Sequence, residues 1–356
     1  MLTPTNVDKC WSPKNVDPKL LLDHGPLEKY LKNLLGSDTN LLNIKQFKGG
    51  QSNPTYLIQT NLKNFVLRRK PPGKLLVSAH AVDREYKVIT ALDKTDVPVP
   101  KTYDLCEDIS VAGTPFFLMD HVEGNIFWDL TLTKCSAEER GKIYWSMNDT
   151  IAKLHNADFK RIGLSDYGKH ENYMARQIAR WTKQYKDSET TLIPEMDNLI
   201  EWLPKNIPSG EETSIVHGDF RLDNMVFDKD TNEVIAILDW ELSTLGHPIA
   251  DFTYHMMCWK LPLAVKGIGI LGANLKELNI PNENEYAEAY YKKTNRNEIQ
   301  DWDFFLAYNM FRLAGITQGI AGRVRDGTAS SDQAKQYAAF VPILAKMAWH
   351  TVEAIK

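Results

Sequence analysis

The residues best suited to chemistry fall in one stretch, SIVHGDFRLDNMVFDKDTNEVIAILDW, residues 214–240. Asp219 follows an apolar strand-like run and precedes Asn224 by five positions, and VIAIL then carries Asp239 to the end of a second run. Two adjacent strand ends can gather these three side chains around one point. Phosphoryl transfer to a hydroxyl asks for such a set: a carboxylate to orient and deprotonate the attacking hydroxyl, with an amide oxygen and a second carboxylate to hold Mg2+ on the phosphates. Asp219 is therefore the catalytic candidate, and Asn224 and Asp239 are the metal candidates. A plainer reading makes Asp219 a turn residue, Asn224 a cap and Asp239 a strand-end acceptor. His217, beside a glycine in a tight loop, reads as a packing element.

At this point a family resemblance becomes specific. HGDFRLDNMVFD resembles the catalytic loop of the aminoglycoside phosphotransferase and choline kinase superfamily, and ILDWELSTLGHPIADF resembles its metal-binding segment. The resemblance implies ATP and Mg2+ as cofactors and gives Asp219, Asn224 and Asp239 the same roles. It also implies a fold: α+β, bilobal and protein-kinase-like, with an N-lobe of about five antiparallel strands plus a helix and a mainly helical C-lobe.

Such a fold needs a phosphate-covering turn and a cation. KGGQSNPTY lies between two strand-like runs, and Gly49 and Gly50, with Gln51, Ser52 and Asn53, would let backbone approach phosphates that a Cβ would obstruct. A plain hairpin turn would use the same residues. In the next strand-like run, FVLRR, Val66 and Arg68 share a face, and Glu85 of DREY is placed to pair with Arg68, which stands where the usual residue is lysine. Arginine binds phosphate and carboxylate with a planar fork, so the role survives the exchange. The alternative is a surface ion pair. FFLMDHVEGN resembles the superfamily's hinge, whose backbone around Asp120, His121 and Val122 would meet the adenine edge.

The acceptor is read as small. Eleven residues separate Asp239 from Asp251, too few for a peptide-docking activation segment, and the loop has H-G-D where protein kinases have H-R-D. The strings VLRRKPPGKLLVSAHAVDREY, DYGKHENYMARQIARW and FRLAGITQGIAGR resemble the kinase-like domain at the N-terminus of certain acyl-CoA dehydrogenase family proteins and its free-standing relatives. That resemblance implies hydroxy acids, as acyl-CoA esters, for substrates, although the sequence stops at Lys356 before any dehydrogenase domain. Arg312, Gln318 and Arg323 lie on a late helical segment, where Gly315 and Gly319 would leave an open, positively charged face for an anionic acceptor. The same glycines could instead serve close helix packing, with the arginines in ion pairs. Competing functions are a nucleotide-binding pseudokinase or scaffold, and a kinase of aminoglycoside or choline type.

The elements that must position these groups are legible in outline. A helix carrying Leu27, Tyr30, Leu31, Leu34 and Leu35 ends at Gly36, strand-like runs follow to Arg69, and a helix spans 78–92. Strands are expected at 100–105 and 114–119. A long helix follows Ser136, a plausible N-cap with Glu139 three residues on. Further helices are expected at 173–185, 192–203, 283–293, 301–320 and 331–355. The division expected is an N-terminal extension at 1–36, a nucleotide-binding lobe at 37–120 and a helical lobe at 121–356.

With 356 residues, 43% hydrophobic content and a net charge of −4, the chain can bury a core and lacks the basic excess of a nucleic-acid or anionic-membrane binder. Four widely spaced cysteines, Cys10, Cys106, Cys135 and Cys258, form no metal or dithiol motif and are expected to be reduced and buried. No leader-like or long uncharged apolar stretch is visible, so a cytoplasmic location is the default expectation. Oligomeric state is left open.

Overall fold

The structure, a computed structural model, describes residues 13–47, 53–73, 81–263, 268–297, 301–327 and 338–355. Along the chain come α1 (His24–Leu35), β1 (Leu41–Gln46), β2 (Thr55–Thr60), β3 (Asn64–Arg69), α2 (Val82–Leu92), β4 (Thr102–Cys106), a single-turn α3 (Ile109–Ala112), β5 (Phe116–Asp120) and α4 (Ala137–Asn156). Then follow α5 (Tyr173–Ser188), α6 (Pro194–Trp202), four short strands, β6 (Ser214–Val216), β7 (Met225–Phe227), β8 (Val234–Ile237) and β9 (Thr244–Gly246), and α7 (Pro248–Met256). The chain closes with α8 (Leu275–Leu278), α9 (Glu283–Thr294), α10 (Trp302–Arg325) and a last helix, Val341–Glu353. Two compact units result: residues 1–167, 217–243 and 274–282 form one, and 168–216, 244–273 and 283–356 the other.

The first unit holds the expected five-stranded sheet, antiparallel throughout, in the order β1-β2-β3-β5-β4. Strand alternation divides its faces. Phe65 and Leu67 of β3, with Tyr56, Ile58, Phe116 and Leu118, pack under Leu27 and Leu31 of α1. The helix that precedes the sheet thus closes its outer face, and Gly36, at φ 122, ends it. Val66, Arg68, Phe117 and Met119 face the other way and line a cleft. On α2 the buried stripe Val82, Glu85, Val88, Ile89 and Leu92 contains a carboxylate. Ser136 and Glu139 form the capping box at the start of α4.

In the second unit β6 pairs with β9, and α10 packs on α5, α7 and the last helix. This overturns the open, cationic face expected on α10. A Cβ at Gly315 would lie 3.6 Å from Trp181 O, and one at Gly319 3.4 Å from Gln184 Nε2, so the glycines are the surface on which α5 packs. Gln318 is buried and its amide donates to Ser188 O at 2.6 Å and Thr190 Oγ1 at 3.1 Å. Arg312 is buried against the rings of Tyr254 and Trp181, 4.7 and 5.4 Å from their centroids. Arg323 alone of the three is exposed. α7 was not anticipated. All nine of its residues are buried, so it has no polar face and no 3.6-residue stripe to read.

Cys106 and Cys258 are buried as expected, Cys135 is half-buried, and none of these three is in a disulfide. Among the described residues no helix is long and apolar enough to cross a membrane.

Candidate active site

The β7–β8 hairpin assembles the three candidate groups. Met225 pairs with Ile237, and the ladder continues one step, with Leu238 N–H donating to Asn224 O at 2.8 Å. Asp239 therefore leaves the hairpin beside Asn224. It does so at φ 64, a left-handed conformation uncommon for a residue with a side chain. The Asn224 amide donates to the Asp219 carbonyl at 2.9 Å and to Asp219 Oδ2 at 3.1 Å. Neither Asn224 Oδ1 nor Asp239 Oδ2 makes a hydrogen bond among the described residues. His217 is fully buried; its Nε2 donates to Leu238 O at 2.9 Å and its Nδ1 accepts from Asp219 N–H at 3.2 Å. One neutral tautomer satisfies both bonds, so His217 ties the loop to the hairpin. Gly218, at φ 82, would put a Cβ 2.8 Å from Leu242 O, which excludes any side chain there.

Two further loop residues escaped the sequence reading. Arg221 Nε lies 3.2 Å from Asp219 Oδ1, and Arg221 Nη2 lies 2.7 Å from Asp223 Oδ2. Asp223 is buried, and burial raises its carboxyl above the usual range despite Arg221, with Asp219 and Asp239 adding to the rise. The signal was available: in DFRLD the charged residues alternate with Phe220 and Leu222, which are 0% and 2% exposed.

A cleft of about 480 Å³ lies within the same unit. Arg68, 5% exposed, reaches into it from β3. Its Nε is 2.7 Å from Glu85 Oε2, its Nη2 is 2.8 Å from Asp239 Oδ1 and 3.6 Å from Glu241 Oε2. Burial works against this charge, but the three carboxylates outweigh it and raise the guanidinium's pKa further. Glu85 takes the opposite strain. Burial pushes its carboxyl up to about 7 against the pull of Arg68, helped by Asp239 and Glu241. Asn53 holds the other Glu85 oxygen, donating to Oε1 at 2.8 Å. Gly49, Gly50, Gln51 and Ser52 lie outside the described residues.

Asp120, His121 and Val122 line the cleft. The Asp120 side chain is occupied elsewhere, accepting from Lys63 Nζ at 2.5 Å and Tyr103 Oη at 2.9 Å. The His121 ring stacks on Phe47 with centroids 6.1 Å apart, and burial lowers its pKa. Val122 makes no backbone hydrogen bond among the described residues, which leaves its N–H and carbonyl for a ligand.

For a metal, no three His, Cys, Asp or Glu side chains among the described residues converge on one point. One amide oxygen and one carboxylate oxygen stand free. That partial set suits Mg2+, which keeps water and phosphate oxygens in its shell, better than an ion held by protein alone.

A model of the phosphotransferase enzyme family matches residues 43–275, well over half of the chain. The chain belongs to that family. It is 43% identical over 325 residues to mouse acyl-CoA dehydrogenase family member 10, covering 91% of this chain and 30% of that protein. The chain thus spans less than a third of that relative's length. A crystal structure from Ralstonia eutropha, provisionally assigned as an aminoglycoside phosphotransferase, is 47% identical with a TM-score of 0.86, covering 94% of this chain and 99% of that one. The thermostable aminoglycoside phosphotransferase APH(4)-Ia, in ternary complex with ADP and hygromycin B, has a TM-score of 0.60 at 13% identity, covering 91% and 98%, a likeness of fold alone. The phosphotransferase assignment and the kinase-like fold support a small-molecule kinase.

Proposed function

We propose that this phosphotransferase moves the γ-phosphate of ATP to the hydroxyl of a small acceptor in a Mg2+-dependent reaction. The observation that carries the reading is the convergence of Asp219, Asn224 and Asp239 at one end of the β7–β8 hairpin. In this reading Asp219 orients the acceptor hydroxyl and takes its proton as the bond to phosphorus forms. Asn224 Oδ1 and Asp239 Oδ2 hold Mg2+, whose charge would offset that on the transferring phosphates. Arg68, kept in place by Glu85, binds phosphate oxygens with its planar fork. The backbone at Asp120, His121 and Val122 meets the adenine edge, and Gly49, Gly50, Gln51, Ser52 and Asn53 cover the phosphates.

For the acceptor we favour a hydroxy acid or its CoA ester. The support is the name of the mouse relative, an acyl-CoA dehydrogenase family member. The polar groups of α10 lend little, because the Arg312 guanidinium is caged by rings and the Gln318 amide is spent on α5. The test is ADP release from Mg–ATP with a hydroxyacyl-CoA, the free hydroxy acid, choline and an aminoglycoside supplied in parallel. Stimulation by the first two is expected. Preference for choline or the aminoglycoside would remove the anionic acceptor, and tight Mg–ATP binding without ADP release under any condition would favour a nucleotide-binding module.

A further inference from the structure

We propose that Arg68 positions the metal-binding carboxylate of Asp239, and that this second task is why arginine stands where lysine is usual. The proposal rests on Asp239 being a metal ligand. Asp239 leaves β8 at φ 64, and although it opens the short helical turn Trp240–Leu242, its side chain makes no capping bond there. Among the described residues its carboxylate accepts one hydrogen bond, on Oδ1 from Arg68 Nη2 at 2.8 Å. A carboxylate 30% exposed, on a left-handed backbone, has little else to restrain its torsions. Holding Oδ1 gives Oδ2 a direction, as a neighbouring hydrogen-bond donor does for a metal-binding side chain.

The guanidinium is itself fixed before it meets Asp239. Thr55 lies directly opposite Arg68 in the β2–β3 register, and its Oγ1 accepts from Arg68 Nη1 at 3.3 Å while donating to Asn53 O at 3.0 Å. Arg68 Nε is 2.7 Å from Glu85 Oε2, a contact of charge without hydrogen-bond geometry, so the directional bonds are those of the two terminal nitrogens. Each joins a different element: Nη1 the sheet, Nη2 the end of the hairpin. Glu85 and Glu241, the latter 3.6 Å from Nη2, share the guanidinium charge, so Asp239 is oriented without being the sole carboxylate that neutralises it. One N–H remains on each terminal nitrogen for phosphate oxygens. A lysine ammonium would bring the same charge on a single atom, with no second nitrogen for β2 to hold.

The test uses the full chain with saturating ADP and follows Mn2+ binding by electron paramagnetic resonance, with ADP affinity in the absence of metal read by calorimetry and folding by the thermal midpoint. Arg68→Lys keeps the charge, so metal-free ADP affinity should stay within about threefold of wild type while Mn2+ binding weakens about 10- to 100-fold, the range for losing a group that orients a metal ligand. Thr55→Val keeps the volume, removes the acceptor for Nη1 and should weaken Mn2+ binding in the same direction. It keeps the test open if Arg68→Lys does not fold. Wild-type Mn2+ affinity in Arg68→Lys, or in Thr55→Val where Arg68→Lys does not fold, would overturn the proposal. So would Mn2+ and metal-free ADP affinities falling by one common factor, which would leave Arg68 a phosphate cation only. Asp239→Asn runs alongside: wild-type Mn2+ affinity there removes the metal reading of Asp239, whereas lost binding there beside wild-type binding in Arg68→Lys refutes the positioning role alone.

Discussion

At Asp219 the proposed chemistry and the nucleotide contacts separate, so Asp219→Asn should lower turnover by roughly 10²- to 10⁴-fold while calorimetry finds Mg–ATP affinity nearly unchanged. Asp239→Ala removes a direct charge partner of the metal and should abolish the Mg2+-dependent part of ATP binding; equal affinity with and without Mg2+ in wild type would contradict that role. Arg68 makes a further demand. An exposed ion pair contributes at most about 1 kcal/mol, but removing one member of a buried pair costs about 3–5 kcal/mol. Arg68→Ala should therefore raise KM for ATP and lower unfolding stability by an amount nearer the second figure, read from urea denaturation. Glu85 sets the pH dependence of the same cluster. Its carboxyl, raised from 4.5 to about 7, binds a proton more tightly in the folded chain, so its contribution to stability is complete below the unfolded value and is lost as pH rises through about 7. Glu85→Gln cannot ionise and should flatten that slope between about pH 5 and pH 8 in nucleotide-free protein. A slope identical to wild type would show that Glu85 keeps its charge across that range.

The elements show where local pattern is enough and where it is not. Asn125 pairs with Phe227 through both backbone bonds at 2.8 Å, extending the β7–β8 hairpin with the segment that follows β5. Gly124 permits this approach, since a Cβ there would sit 2.4 Å from Phe227 O. Gly124→Ala should push the segment away from the hairpin, weaken ATP binding several-fold and lower the thermal midpoint; unchanged ATP affinity would show that the pairing does not shape the cleft. The short apolar runs of β2 and β3, set off by turn residues, and the capping box of α4 were legible because each is decided within a few residues of chain. α7 was not, because a helix buried on every side carries no polar stripe. On α10, three- and four-residue spacing identified one face but could not say whether solvent or α5 would meet it.

For the whole molecule, the discontinuity of the first unit has an experimental consequence. Residues 1–167 contain the entire five-stranded sheet, yet residues 217–243 and 274–282 belong to the same unit. A fragment ending at Tyr167 would lack Asp239, the partner of Arg68, and the bond from Ile237 N–H to Pro98 O at 2.9 Å. It should show no cooperative unfolding transition by circular dichroism and no Mg–ATP affinity, and a fragment that had both would contradict the unit's integrity. By itself the sequence determined the strands of the five-stranded sheet and most helices, because residue type, spacing and caps act over one or two turns of chain. The tertiary structure decided that Arg68 meets Asp239 across 171 positions, that the α10 glycines face α5, and that Asp223, through Arg221, is tied to Asp219. Contacts of that kind depend on which faces the packed elements present to each other and on which carboxylates lose their water, and no spacing along the chain records either.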